Sequence, residues 1–223
     1  MRSTSSPPLR FAAATLDGYA TSSPSMVRAV TAARKMATGE IGSLVLAGKT
    51  GTGKTHLAAA IWLERERMRV PVAVLHLPPV TTDVQAWQEA LDRMTRSRSR
   101  PEPSDRPLWL NVAATIVALR MEIGSDDRGT AALLDEAANR RGLVVLDDIG
   151  QEKASDWTAE TIYTLVNARY ESMLPTIVTT NLTGAELAAS PYWPVISRLA
   201  EDGELVRIEA EDHRLPKRQR ATA

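Results

Sequence analysis

A glycine-rich segment that ends in a lysine and a threonine is the strongest candidate for chemistry in this chain. Residues 48–55 have the sequence GKTGTGKT and fit the pattern G-x-x-x-x-G-K-[ST]. An apolar run at 43–47 precedes the segment, and an amphipathic stretch with Leu57 and Ile61 on one side follows it. Glycines let successive backbone N–H groups approach phosphate oxygens at a helix N-terminus. The segment therefore predicts a binding loop for nucleotide phosphates between a strand and a helix.

The side chains at the end of this loop have separate expected roles. Lys54 is expected to reach the β- and γ-phosphates of ATP, and Thr55 to place its hydroxyl on Mg²⁺. A glycine-rich turn without a ligand is the alternative, which the flanking strand and helix disfavour. The residues expected to contact the nucleotide here are Gly48, Lys49, Thr50, Gly51, Thr52, Gly53, Lys54, Thr55 and His56.

Two carboxylates follow a second apolar run. Residues 143–148 have the sequence LVVLDD, which predicts a strand that ends on Asp147 and Asp148 at the carboxyl edge of a sheet, where α/β proteins bind ligands. Asp147 is the expected Mg²⁺ partner opposite Thr55, and Asp148 the expected base that polarises a water for attack on the γ-phosphate. An Asp pair that starts a turn or caps a helix is the alternative. The phosphate loop in the same chain favours the functional interpretation.

Two further polar side chains are candidates for completing the site. The strand predicted at 176–180 ends on Asn181, whose amide is placed to hold the attacking water, although an Asn in a turn is an equal alternative. Arg198 lies on a short helical stretch and could reach the γ-phosphate bound by another subunit. A solvated surface charge is the alternative for this arginine.

The order of predicted elements indicates the fold class. Predicted helices at 26–37, 130–140 and 157–173 alternate with predicted strands at 43–47, 72–77, 143–146 and 176–180, and residues 108–112 are expected to open a helix that continues to Arg120. Parallel strands need crossover helices, so this alternation predicts an α/β domain with a parallel sheet covered on both faces.

Composition excludes several other classes of protein. Lys plus Arg and Asp plus Glu number 27 each, so the overall charge gives no long-range attraction for nucleic acid or membrane. There is no cysteine, which excludes disulfides and thiolate metal sites. No apolar run approaches the roughly 20 residues that span a bilayer, so we expect a cytoplasmic protein. The first sixteen residues are expected to form a flexible arm. Residues 95–107 carry four arginines and three prolines, which predicts a mobile basic loop that is either a solvated linker or a DNA contact.

Several motifs in order give the chain a family resemblance. They are RFAAATL at 10–16, GKTGTGKTHLAAAI at 48–61, LVVLDDIG at 143–150, ARYE at 168–171, PTIVTTN at 175–181, SRL at 197–199 and EDHR at 211–214. With these motifs the chain resembles the AAA+ domain of the bacterial DnaC/IstB family of helicase loaders and transposition helper ATPases. The resemblance implies an ASCE-type P-loop NTPase fold, a three-layer αβα sandwich with a five-stranded parallel sheet of order 5-1-4-3-2 and no separate C-terminal lid domain.

The resemblance also implies roles and partners. Asn181 would be sensor 1, Arg198 an arginine finger acting in trans, and Arg214 a nucleotide-binding substitute for sensor 2. Expected cofactors are ATP and Mg²⁺, with slow hydrolysis because Asp148 stands where many AAA+ proteins have Glu. Expected partners are further copies of the chain, a replicative helicase and single-stranded DNA. A transposition helper and a nucleotide-switched adaptor with little hydrolysis are the alternative functions.

The expected domain organisation has three parts. Residues 1–38 form an N-terminal arm and helix, residues 39–215 form the ATPase core with a basic insertion at about 78–107, and residues 216–223 form a basic tail. The insertion is not part of the usual core of the family. A DnaC-like loader also carries an N-terminal helicase-gripping domain, whereas only about forty residues precede the core here.

Overall fold

The structure is a computed structural model that describes residues 6–68, 105–126, 128–152 and 155–212. Outside the described residues lie the predicted strand at 72–77, almost all of the basic insertion, Arg214 and the tail at 216–223. The described helices are α1 (Pro24–Thr38), α2 (Lys54–Met68), α3 (Val112–Glu122), α4 (Gly129–Asn139), α5 (Asp156–Glu171), α6 (Gly184–Ala189) and α7 (Trp193–Glu201). The strands are β1 (Ser43–Gly48), β2 (Leu108–Asn111), β3 (Val144–Ile149), β4 (Thr176–Thr180) and β5 (Gly203–Ile208).

The described strands form one parallel sheet. Its order is β2-β3-β4-β1-β5, which, counted from the other edge, is the predicted order 5-1-4-3-2. In the centre Val45 pairs with Val178 of β4 and with Leu205 of β5. Since all strands run in the same direction, the ends of β1, β3 and β4 lie side by side at one edge.

Alternate residues of the strands face two separate cores. Leu44 and Leu46 pack in one core with helices α1 and α2, whereas Val45 and Ala47 pack in a second core with α3, α5 and α7. A strand whose successive side chains are all buried must be covered on both faces. The predicted three-layer α/β architecture is thereby confirmed. Among the described helices none has the length and apolar character of a membrane span.

The element expected at 108–120 is divided differently from the prediction. Residues Leu108–Asn111 form edge strand β2 and pair with β3, and only Val112–Glu122 is helical, so the expectation of a helix from residue 108 was wrong. Leu108, Trp109 and Leu110 are all buried in the sheet. Asn111 ends the strand because its Oδ1 accepts a hydrogen bond from the backbone N–H of Ala114 at 2.9 Å and so caps α3.

The N-terminal arm is also more ordered than expected. Leu9–Phe11 forms a 3-10 helix, and Ala14, Leu16 and Tyr19 are buried against the first core. The prediction of a flexible arm over the first sixteen residues was therefore wrong for the described part. Burial of these apolar side chains outweighs the entropy lost when the segment is ordered.

A buried arginine connects the loops at the amino edge of the sheet. Arg169, near the end of α5, is fully buried. Its guanidinium donates hydrogen bonds of 2.6–3.1 Å to the Thr176 hydroxyl and to four carbonyl oxygens, those of Ala137, Arg140, Gly142 and Pro175. Burial, together with the charge of Arg140, lowers the pKa of Arg169 to about 9. The side chain thus holds together the segments that enter β3 and β4.

Replacing Arg169 should destabilise the whole domain. In Arg169→Lys the shorter ammonium cannot reach all five acceptors, and each buried acceptor left without a donor costs about 1–3 kcal/mol. We expect the free energy of unfolding, measured by urea denaturation, to fall by about 3 kcal/mol. Arg28→Lys, at an exposed position on α1, is the control. Equal stability of the two variants would contradict this role for Arg169.

Candidate functional site

The glycine-rich loop lies between β1 and α2, at the carboxyl edge of the sheet. Gly51 and Gly53 have φ angles of 80° and 87°, which glycine adopts without strain. A Cβ at Gly53 would overlap the ring of Tyr19, and one at Gly51 would overlap the carboxylate of Asp212. The positive φ therefore favours glycine at both positions, and at Gly53 the Tyr19 ring also leaves no room for a side chain.

Lys54 and Thr55 open helix α2 directly after the loop. The Lys54 side chain is buried, and its ammonium donates hydrogen bonds to the carbonyl oxygens of Gly48 and Lys49 at 2.7 and 2.8 Å. The ammonium therefore lies inside the curve of the loop. The Thr55 hydroxyl points towards β3 and donates to Oδ1 of Asp147 at 3.2 Å. The structure thus brings together the loop and the acidic strand end, as the sequence predicted.

The acidic strand end is a β-bulge. Leu146 pairs with Val178 and Ile149 pairs with Thr180, so the two residues Asp147 and Asp148 stand opposite the single residue Thr179. Asp148 has a φ of 62°, in the left-handed region that few residues other than glycine adopt. The bulge therefore aims both carboxylates differently from a regular strand, in which successive side chains alternate between faces.

Asp147 is held by two hydroxyl groups. Its Oδ1 accepts hydrogen bonds from Thr179 at 2.7 Å and from Thr55 at 3.2 Å. Burial raises the pKa of Asp147 to about 6, and the charge of Asp148 also raises it, whereas these hydrogen bonds and the charge of Lys54 lower it. A cation bound at this carboxylate would favour its charged form.

Asp148 lies beside Asn181 at the end of the neighbouring strand. The amide Nδ2 of Asn181 donates to Oδ1 of Asp148 at 3.2 Å, and the backbone N–H of Gln151 donates to the Asp148 carbonyl at 3.3 Å. All three residues line the same cleft as Lys54 and Thr55. A carboxylate and a side-chain amide are therefore adjacent to the loop.

Aromatic residues of the N-terminal segment form the other wall of this cleft, which has a volume of about 500 Å³. The Tyr19 hydroxyl donates to the carbonyl oxygen of Thr52 at 2.7 Å, and burial raises the pKa of Tyr19 to about 12, so the donor stays protonated. His56 contacts the rings of Phe11 and Tyr19 at centroid distances of 6.3 and 5.9 Å. Nε2 of His56 lies 3.0 Å from the carbonyl oxygen of Thr15. The segment thus packs directly on the loop.

Sequence reasoning missed two residues of this site. Tyr19 was not predicted, and no local pattern in the sequence indicates that it packs on the loop. Thr179 was not predicted either. It is one of two adjacent threonines before Asn181, and only the paired strands show which of them faces Asp147.

Arg198 lies away from this cleft. On α7 its guanidinium stands over the ring of Tyr163, with Cζ 4.9 Å from the ring centroid, and donates a hydrogen bond to the Tyr163 hydroxyl. Within one chain the structure therefore brings Lys54, Thr55, Asp147, Asp148 and Asn181 together but does not bring Arg198 to them. Arg214, predicted to bind nucleotide, lies outside the described residues.

Comparison with known proteins gives matches among solved structures. No protein-family model matches the sequence, and no curated protein matches it. The DnaC helicase loader is similar at 25% identity and a TM-score of 0.63, covering 91% of this chain and 100% of that chain. DnaI is similar at 20% identity and a TM-score of 0.58, covering 92% and 93%.

The replication initiator DnaA provides a third comparison. DnaA bound to AMPPCP and single-stranded DNA is similar at 18% identity and a TM-score of 0.58, covering 89% of this chain and 50% of that chain. The matched half of that chain therefore shares the arrangement of strands and helices described above. The chain has an AAA+ fold of the type found in DnaC, DnaI and DnaA, which confirms the predicted resemblance to the DnaC/IstB-type AAA+ ATPases.

Proposed function

We propose that this protein is an AAA+ ATPase that binds and hydrolyses Mg²⁺-ATP at interfaces between copies of the chain, and that it acts as a DnaC-like loader of a replicative helicase on single-stranded DNA. The observation that carries the ATPase proposal is the contact between the phosphate loop and the acidic bulge. There the Thr55 hydroxyl touches Asp147, while Asp148 and Asn181 touch each other in the same cleft.

Phosphate binding uses the backbone of the loop and two side chains. The ammonium of Lys54 already points into the loop and would exchange the carbonyl oxygens of Gly48 and Lys49 for phosphate oxygens. Thr55 and Asp147 would hold Mg²⁺, which prefers oxygen ligands and keeps several waters when few carboxylates are present. Both hydroxyl hydrogen bonds of Asp147 end on Oδ1, which therefore lies beside Thr55, the other proposed ligand.

Hydrolysis would follow from the pair of Asp148 and Asn181. A water held by the Asn181 amide attacks the γ-phosphorus while Asp148 accepts its proton, and the bond to the β–γ bridging oxygen breaks to give ADP and phosphate. The two side chains lie within hydrogen-bond distance of each other, so one water can contact both. The nucleotide base would pack against the wall formed by Phe11, Tyr19 and His56, since flat aromatic rings suit a purine.

The position of Arg198 favours a role at an interface between subunits. It does not line the cleft of its own chain, yet its stacking on Tyr163 holds a positive charge at the surface of α7. A second copy that presents this surface to the cleft would supply the charge that stabilises the transferred phosphoryl group. We therefore infer a homo-oligomer with composite sites.

The loader function rests on the resemblance to DnaC and on the motifs at 10–16 and 211–214. It includes contacts of Arg214 with nucleotide and of the basic insertion with DNA, as well as the three-part organisation at 1–38, 39–215 and 216–223. Phosphate release distinguishes the loader from the adaptor alternative, because an adaptor would bind ATP without hydrolysing it. Preference for duplex over single-stranded DNA would favour the transposition helper instead.

Lys54→Ala should strongly weaken ATP binding. Loss of charge-assisted hydrogen bonds to two phosphates removes about 3 kcal/mol, which corresponds to at least about 100-fold in affinity. Isothermal titration with ATP and Mg²⁺ measures the effect. Lys35→Ala, on α1 outside the cleft, is the matched control and should bind like the unmodified protein. Unchanged affinity in Lys54→Ala would refute the assignment of the loop.

Asp148→Asn should separate binding from hydrolysis. Asparagine tolerates the left-handed conformation of this position, so the bulge should persist, but the amide cannot accept the proton of the attacking water. We expect ATP affinity to be retained and kcat for phosphate release to fall by about 100-fold or more. Normal turnover in this variant would show that another group acts as the base.

A mixing experiment tests the action of Arg198 in trans. Arg198→Ala keeps an intact loop but lacks the finger, whereas Lys54→Ala lacks the loop but keeps the finger. Each variant alone should lose most turnover, with about 1,000-fold expected for the finger. Their mixture should regain part of it, because mixed interfaces combine an intact loop with an intact Arg198. If the mixture stays inactive while Arg198→Ala still assembles, the intersubunit role is wrong.

A further inference from the structure

We propose that Thr179 is a positioning residue that fixes the orientation of both carboxylates at the acidic strand end and thereby couples nucleotide binding to Mg²⁺. This inference rests on the proposed function, since it concerns the same site. Thr179 is the last residue but one of the buried strand β4 and is fully buried. Its hydroxyl reaches Thr55 through Asp147, so its influence on nucleotide is indirect.

A single hydroxyl group contacts both acidic residues. The Thr179 Oγ1 donates its hydrogen to Oδ1 of Asp147 at 2.7 Å and accepts the backbone N–H of Asp148 at 2.9 Å. A backbone N–H can only donate, so the hydroxyl accepts from Asp148 and keeps its one hydrogen for the ionised carboxylate of Asp147. The Asp147 oxygen is therefore held as an acceptor, in the form that binds a cation.

The bulge explains why this hydroxyl is needed. The extra residue between Leu146 and Ile149 interrupts the pairing of β3 with β4. A bulged residue is left without its ladder partner, and the Thr179 hydroxyl takes the place of that partner for Asp148. The same bond holds Asp148 at its φ of 62°, a left-handed conformation that is strained for a non-glycine residue.

The Thr55 hydroxyl completes the arrangement around Asp147. Thr55 from α2 and Thr179 from β4 both donate to Oδ1, which restrains the carboxylate between the loop and the sheet. Removing the Thr179 bond would let Asp147 rotate about its side-chain torsions and would free the backbone of Asp148. Groups that orient metal ligands in this way commonly change metal affinity or activity by about 10–100-fold when they are removed.

The other threonines of β4 do not have this role. The Thr180 hydroxyl donates to the carbonyl oxygen of Ile149 at 2.8 Å and accepts the N–H of Leu182 at 3.2 Å. The Thr176 hydroxyl donates to the carbonyl of Leu174 at 2.9 Å and accepts from Arg169 at 3.0 Å, at the far end of the strand. Thr176 is buried like Thr179 and therefore provides a matched control for the loss of a hydroxyl.

The experiment compares Thr179→Val, Thr179→Ser and Thr176→Val in the full chain. ATP affinity is measured by titration with excess Mg²⁺ and with EDTA, and phosphate release gives kcat and KM. In Thr179→Val we expect the gain in affinity caused by Mg²⁺ and kcat each to fall by about 10-fold or more, with ATP affinity in EDTA unchanged. Thr179→Ser keeps the hydroxyl and should retain the gain in affinity caused by Mg²⁺ and the kcat of the unmodified protein. Thr176→Val should also retain these two values, although we expect the folded protein to be less stable.

Two results would overturn the inference while leaving the proposed function intact. One is that Thr179→Val shows the same gain in ATP affinity from Mg²⁺ and the same kcat as the unmodified protein. The other is an equal loss in Thr179→Val and Thr176→Val, which would show a general effect of strand stability. If Thr179→Val does not fold, Thr179→Ala, which also lacks the hydroxyl, replaces it. Absence of Mg²⁺-dependent ATP binding in the unmodified protein would instead overturn the proposed function itself.

Discussion

Parallel hydrogen bonding between β1, β4 and β3 is the interaction on which the candidate site depends. It places the ends of these three strands side by side, so the phosphate loop, Asn181 and the acidic pair meet although more than 90 residues separate the loop from Asp147 in the chain. The two apolar cores hold this sheet from both faces. Arg169 ties the opposite edge and keeps the entries of β3 and β4 in register.

The acidic strand end departs from regular sheet geometry at the point where chemistry is proposed. An irregular backbone must be stabilised by its surroundings, and here the buried hydroxyl of Thr179 does so while it also orients Asp147. Structural and functional demands therefore fall on the same side chain. The regular strands on either side of the bulge supply the rigidity that such an arrangement needs.

One chain supplies most of the groups proposed for the site, but its own Arg198 does not reach the cleft. The loop and the acidic bulge come from the central sheet, and the aromatic wall of Phe11 and Tyr19 comes from the N-terminal segment that packs on the loop. Arg198 lies elsewhere, on α7 beside Tyr163. In the proposed oligomer the same helix would contribute to a neighbouring cleft, which would link turnover to assembly.

The sequence by itself determined the identity and local context of the main groups. The G-x-x-x-x-G-K-[ST] spacing and the apolar runs before Asp147 and Asn181 are local features, because loop, strand and helix preferences act over a few residues. The tertiary structure decided what depends on pairing between distant segments. That Leu108 starts a strand follows from its pairing with β3, and the burial of Tyr19 follows from its packing on Gly53. The bulge that selects Thr179 rather than Thr180 arises from the register of β3 against β4, which no local pattern encodes.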